Sequence, residues 1–133
     1  MLKQIIKTEN APAPIGPYSQ AVKAGGFLFI SGQIALVPGT DNLVTSNIVD
    51  EANQVMKNLQ AILSAAGINF GTVVKTNIYL SDMSLFAAVN EVYGSYFTPD
   101  MPGSETSFPA RETLAVKTLP KNVNVEISMI ATI

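Results

Sequence analysis

No cysteine, histidine or tryptophan occurs in the 133 residues, and only 14% of them are charged. Without Cys or His the chain has no thiolate nucleophile, no imidazole base, no Cys/His zinc site and no Ser-His-Asp arrangement. Acid–base chemistry therefore falls to a carboxylate, a lysine, a tyrosine or a hydroxyl. No apolar run approaches the 18 or so residues of a membrane span, and Met1 opens no basic, apolar, small-residue leader. A cytoplasmic location is the resulting expectation. The net charge is −2 and the eight basic residues are scattered, so nothing resembles a phosphate-binding footprint, and nucleic acid is a poor fit as partner.

Hydrophobic residues make up 47% of the chain. With so little charge to cover the surface, part of it is expected to lie against another subunit. The length suits one domain, spanning residues 1–133, with a core that needs neither staples nor metal. Arg111 is the only arginine. Its planar fork of donors makes it a candidate clamp for a carboxylate.

Along the chain, the proline-rich stretch from Ala11 to Pro17 predicts an ordered loop. Tyr18 to Lys23 and Phe27 to Ser31 flank Ala24-Gly25-Gly26 and predict a hairpin. Gln33 to Thr45, with Pro38-Gly39 and Asp41-Asn42, is a turn-rich connector. From Ile48 the apolar residues recur at three- and four-residue steps through Val55, Leu59, Ile62 and Ala66, which predicts an amphipathic helix. Ser46 or Asn47 can cap it, Asp50 and Glu51 lie in its first turn, and Gly67 stops it. Thr72 to Leu80 alternates as a strand. A second helix is predicted from Ser81 or Asp82 through Phe97, followed by a Pro/Gly loop over Pro99 to Ser104. Thr106 to Thr118 and Val123 to Ile133 predict two more strands, joined across Leu119-Pro120-Lys121-Asn122. The order is β-β-α-β-α-β-β, an α+β unit with two helices on one face of a sheet.

Pairing the last two strands as a hairpin sets Thr113 opposite Glu126 and Arg111 opposite Ser128. All four side chains would then leave the sheet face away from the helices. The bland reading of Arg111 and Glu126 is a cross-strand ion pair, and the functional one is a site for a small anion.

Several segments match a known family in order and spacing. Pro12-Ala13-Pro14-Ile15-Gly16-Pro17-Tyr18-Ser19-Gln20, Ile30-Ser31-Gly32-Gln33, Phe108-Pro109-Ala110-Arg111, Leu119-Pro120-Lys121 and Val125-Glu126-Ile127 resemble the Rid (YjgF) family, and the resemblance runs through nearly the whole chain. It implies a chorismate-mutase-like fold with a mixed sheet, a homotrimer with clefts between subunits, and hydrolytic deamination of enamine/imine intermediates such as 2-aminoacrylate and 2-aminocrotonate. These arise from pyridoxal-dependent dehydratases, the functional partners so implied. Carried over residue by residue, Arg111 falls on the carboxylate-binding arginine and Glu126 on the carboxylate that activates or positions water. Tyr18, Gly32 and Thr113 fall on positions lining the cleft, and no metal or organic cofactor is required. Asn90 reads instead as a helix-surface or interface residue. The chain departs from the family at Thr113, where many members have Cys, and at Glu112, where a small residue is usual. Alternation turns Glu112 away from Arg111, whereas a bulge there would bring an anion near the clamp and weaken it. The competing reading is a regulatory protein that binds a 2-keto acid without turnover. A ribonuclease role, attached to some relatives, fits poorly with an acidic chain that lacks histidine.

Overall fold

The computed structural model describes residues 2–97 and 108–133. Six strands and two helices follow one another as β1 (Gln4–Ile6), β2 (Ala21–Ala24), β3 (Phe27–Gln33), α1 (Ile48–Ala65), β4 (Val73–Leu80), α2 (Phe86–Gly94), β5 (Ala110–Ala115) and β6 (Val125–Thr132). The strands form one mixed sheet in the order β1-β2-β3-β6-β4-β5.

The predicted β2–β3 hairpin is present, with Ala24 paired to Phe27 across two glycines. Both Gly25 and Gly26 have positive φ, 60° and 83°, the backbone that a two-residue turn between twisted strands demands. α1 begins where Asn47 accepts the Asp50 N–H through its side chain, and Gly67, at φ 79°, takes the left-handed position beyond its end. Ala52, Val55, Met56, Leu59, Ile62 and Leu63 form its buried stripe against the sheet. Each of the larger side chains contributes about 1.5–3 kcal/mol of hydrophobic stabilisation.

β1 lies outside the predicted order and enters as an edge strand on β2. The buried Gln20 ties the loop between them: its side-chain oxygen accepts from Thr8 N, and its amide donates to the carbonyls of Thr8, Ala11 and Pro12. The second helix is shorter than predicted. A 3-10 turn over Met83–Leu85, capped by Asp82, precedes it, and α2 ends at Gly94. Tyr96 and Phe97 lie beyond its end and pack their rings on Phe70. The predicted loop over Pro99 to Ser104 and the start of the strand predicted from Thr106 fall outside the described residues.

The expected hairpin between the last two strands does not exist. β5 pairs with β4, parallel to it, by a crossover that includes α2, and β6 runs antiparallel between β3 and β4. The connection passes over the end of β4: Val116 N–H donates to the Leu80 carbonyl on one side, and Ser81 N–H to the Asn124 carbonyl on the other. Leu119 and Val123 are buried there against Ile34 and Leu36. Leu119-Pro120-Lys121-Asn122 thus carries a packed crossing rather than a tight reversal, with Lys121 and Asn122 at φ 54° and 56°.

α1 fastens the entry to the central strand β6. Glu51, expected to serve the helix dipole from the first turn, is 0% exposed. Its carboxylate accepts from Asn124 N at 2.7 Å, Asn124 Nδ2 at 2.8 Å and Val125 N at 3.2 Å. Buried Asn58 does similar work two turns later, donating to the carbonyls of Ile34 and Leu36. Among the described residues, no helix is long and apolar enough to cross a membrane.

Candidate active site

Side chains paired in register across adjacent strands share a sheet face. Arg111 pairs with Thr76 and Thr113 with Ile78, both buried beneath the helices. Arg111 and Thr113 therefore lie on the helix face. Glu126 pairs with Tyr79 and Ser128 with Asn77, and both alternate with the buried Val125, Ile127 and Met129, so they lie on the open face. The expected single-face cluster is thereby overturned. Glu112 does point away from Arg111, as alternation requires, and its Oε1 meets Lys75 Nζ at 2.9 Å. Arg111 and Glu126 are two strands and three residues apart, about 14 Å between Cα positions from strand spacing and rise, with side chains on opposite faces. Within one chain, no small molecule can touch both.

The predicted residues instead form two half-sites. In the first, Arg111 lines a cavity of about 380 Å³ with Asn90, Tyr93, Gly94, Phe108 and Pro109. The guanidinium carbon lies 5.6 Å from the ring centroid of Phe86 and 5.2 Å from that of Tyr93. Among the described residues, no carboxylate forms an ion pair with Arg111. The Tyr93 hydroxyl sits 3.0 Å from Thr76 Oγ1. Burial pushes this phenol above its usual pKa, with the Thr76 bond and the Arg111 charge offsetting part of the rise. Tyr93 thus stays protonated and donates to Thr76. Thr113 Oγ1 is buried and has no hydrogen-bond partner among the described residues. Because Val116 N–H points to β4, alternation turns the Thr113 N–H outward, to the edge of the sheet.

Tyr18, Gly32 and Glu126 make the second half-site. Tyr18 and Gly32 line a shallow hollow with Pro12, Ile15 and Gln33. Tyr18 is 44% exposed, and its hydroxyl accepts from Ile15 N at 3.1 Å, which locates the oxygen while leaving its proton to donate. Gly32 is required by the Glu126 side chain lying across it. A Cβ there would run into Glu126 Oε2 and approach Cδ to 2.8 Å. Desolvation raises the pKa of the half-buried Glu126 carboxyl.

Asn90 was expected at the helix surface or an interface rather than in the site, and the structure puts it in the Arg111 cavity. A signal was available, since it lies four residues after Phe86 and three before Tyr93, on the stripe that faces β5. Phe86 and Tyr93 look in sequence like ordinary core positions of an amphipathic helix, and nothing local reveals that their rings meet an arginine. Among the described residues, no cluster of three or more His, Cys, Asp or Glu could hold a metal ion.

Comparison with known proteins covers the whole assembly of elements. Residues 8–133 match the profile of the family described as Endoribonuclease L-PSP. A RutC family protein of Pyrococcus horikoshii is 51% identical over 130 residues, covering 98% of both chains. The mouse protein named 2-iminobutanoate/2-iminopropanoate deaminase is 46% identical over 131 residues, covering 98% of this chain and 92% of its own. Among solved structures, Escherichia coli TdcF with bound serine superposes with a TM-score of 0.88 at 37% identity, covering 98% of each chain.

Proposed function

Because this chain belongs to the Rid (YjgF) family, also described as Endoribonuclease L-PSP, we propose that it hydrolyses 2-iminopropanoate- and 2-iminobutanoate-type intermediates to 2-keto acids and ammonia. What carries this reading is the Arg111 guanidinium, which lines a cavity of suitable size and has no carboxylate partner among the described residues. The family's chorismate-mutase-like fold supplies the frame. The mouse relative's name specifies this chemistry, and the E. coli relative holds serine, a small molecule bearing the carboxylate that Arg111 would meet.

The site is completed by a second copy of the chain in a homotrimer, whose Glu126 half-site faces the Arg111 half-site. Two observations support this. Neither half alone holds both groups, and the open sheet face carries an apolar stripe beside its polar residues. Ile5, Val22, Phe29 and Ile130 are register neighbours across four strands, with Phe29 46% exposed, and Leu114 on the same face is 50% exposed. A stripe of that kind is expected to be covered. Sedimentation equilibrium showing a monomer at micromolar concentration would remove the second half-site.

In the cleft, Arg111 fixes the planar substrate by paired charge-assisted bonds to its carboxylate, and the outward Thr113 N–H adds a donor. Glu126 takes a proton from water as the oxygen bonds to the carbon of the protonated imine, whose π pair passes to nitrogen. Glu126 then returns that proton to the carbinolamine nitrogen, the C–N bond breaks as the C=O forms, and the hydroxyl proton passes through Glu126 to the departing ammonia, which leaves as ammonium. Tyr18 offers its free proton to the developing oxygen. No cofactor enters these steps. The decisive assay couples a serine dehydratase to serine and follows pyruvate with and without this protein. Acceleration supports the deaminase. An unchanged rate alongside saturable 2-ketobutyrate binding supports a regulatory ligand-binding protein.

Two outcomes probe the Glu126 half-site. Gly32→Ala should displace the Glu126 side chain while leaving the sheet intact, lowering turnover about tenfold. Glu126→Gln in the same background should then cost little more. A Gly32→Ala enzyme as fast as the parent would detach the two residues. Glu126 itself should show a stability signature. A carboxyl whose folded pKa is raised binds its proton more tightly in the native state, so its stabilising contribution is full below the ordinary carboxylate range and is lost as pH rises through the folded value. At pH 8, Glu126→Gln should therefore melt about 1–4 °C higher than the parent, with the gap closing near pH 4. Turnover should meanwhile fall at least tenfold with ligand affinity little changed. A melting difference independent of pH would contradict the desolvated carboxylate.

A further inference from the structure

Resting on the reading of Arg111 as a carboxylate clamp, we propose that Phe86 and Tyr93 are its positioning residues, holding the guanidinium by their ring faces in place of a carboxylate. The two rings are seven residues apart on α2, two turns and about 10 Å along one stripe. The Arg111 guanidinium carbon lies within 6 Å of both centroids, so it sits in the gap between them. A ring quadrupole attracts the cation without neutralising it, and a face cannot occupy the in-plane N–H donors as a carboxylate would. The choice of partner matters here. An acidic residue in that gap would order the arginine equally well but would compete with the ligand's own carboxylate and repel it.

The rings are themselves held. Tyr93 is buried, and its hydroxyl bonds to Oγ1 of Thr76, the β4 residue directly beside Arg111 in the parallel ladder. Phe97 packs on the Tyr93 ring at 4.9 Å between centroids. The same strand position thus locates both the arginine backbone and the ring that orients its side chain. Phe86 is anchored by packing against the core at the start of α2. An arginine on an edge strand, with four rotatable side-chain bonds and no ion pair among the described residues, would otherwise lose rotamer freedom on each binding event.

Binding of 2-ketobutyrate and of its neutral amide, 2-ketobutyramide, measured by calorimetry on the full assembly, tests this. Phe86→Leu and Tyr93→Leu should each weaken the acid about tenfold, within the span of about twofold to thirtyfold that cation–π contacts allow, and leave the amide within about twofold. Tyr93→Phe, which keeps the face and loses only the hydroxyl, should stay within about threefold of the parent for both. In an Arg111→Lys background, Phe86→Leu should cost the acid clearly less than in the parent. Equal weakening of acid and amide would show that the rings merely shape the cavity, and would overturn the proposal. So would undiminished acid binding in Phe86→Leu, whose ring is only partly buried and whose loss carries the smaller folding risk. If Arg111→Ala binds the acid like the parent, the clamp fails and the positioning role falls with it. If Arg111→Ala loses the acid while both leucine variants keep it, the clamp stands and only the positioning role is lost.

Discussion

Arg111→Ala should weaken 2-keto acid binding and slow deamination by roughly 30-fold or more, while the fold stays intact. Removing one member of a charge-assisted pair in a desolvated site costs about 2–5 kcal/mol, and 2 kcal/mol already corresponds to about 30-fold. Little folding energy is at stake. Arg111 lies on an edge strand with no ion pair among the described residues, and its ring contacts add only modestly to the native state. Arg111→Lys keeps the charge but loses the two-point grip, so it should fall between parent and alanine. Thr113→Cys should change turnover little, because water attack needs no thiol and the backbone N–H at that position survives. Ligand titration and the coupled pyruvate assay measure all three. If the alanine variant works at the parent's rate, the deaminase and the regulatory readings both lose their anchor.

Glu51 carries the largest expected effect on stability. Truncation to alanine would strand the N–H groups of Asn124 and Val125 and the Asn124 amide at the entry to the central strand, while removing the acceptor that satisfies all three. Unsatisfied buried donors cost about 1–3 kcal/mol each, and relaxation recovers part of that, so Glu51→Ala should lose about 3–5 kcal/mol. For a chain of this length that corresponds to a fall in melting temperature on the order of 10 °C. Glu51→Gln keeps one oxygen acceptor but points an amide donor at another donor, and should lose roughly half as much. Denaturant unfolding decides it: a loss below about 1 kcal/mol in Glu51→Ala would mean that water replaces the carboxylate.

The two residues also mark where sequence reasoning stopped. Glu51 stands in a helix first turn, where an acidic residue is common and needs no buried partner. Its real partners lie more than 70 residues away and are brought near only because β6 inserts between β3 and β4. The α1 stripe, its Asn47 cap, the Gly25-Gly26 turn and the alternation of β4 and β6 were all legible, because each depends on contacts within a few residues or on a repeating period. The pairing of β5 was not legible, for the opposite reason. Strand adjacency in sequence favours a hairpin, but burying Leu119 and Val123 against Ile34 and Leu36 favours a crossing over the end of β4.

By itself the sequence determined the chemistry on offer and the local elements. It left one arginine, seven lysines, ten carboxylates and four tyrosines, with no thiol or imidazole, and it set the period of each strand and helix. Those properties belong to residue types and to short-range spacing. Which face each side chain occupies depends on register and on which strand lies beside which, and long-range packing alone settles both. It put Arg111 with α2 and Glu126 with Gly32 on opposite sides of one sheet, because β5 follows its crossover helix into a parallel edge position while β6, alternating and buried on one side, takes the centre.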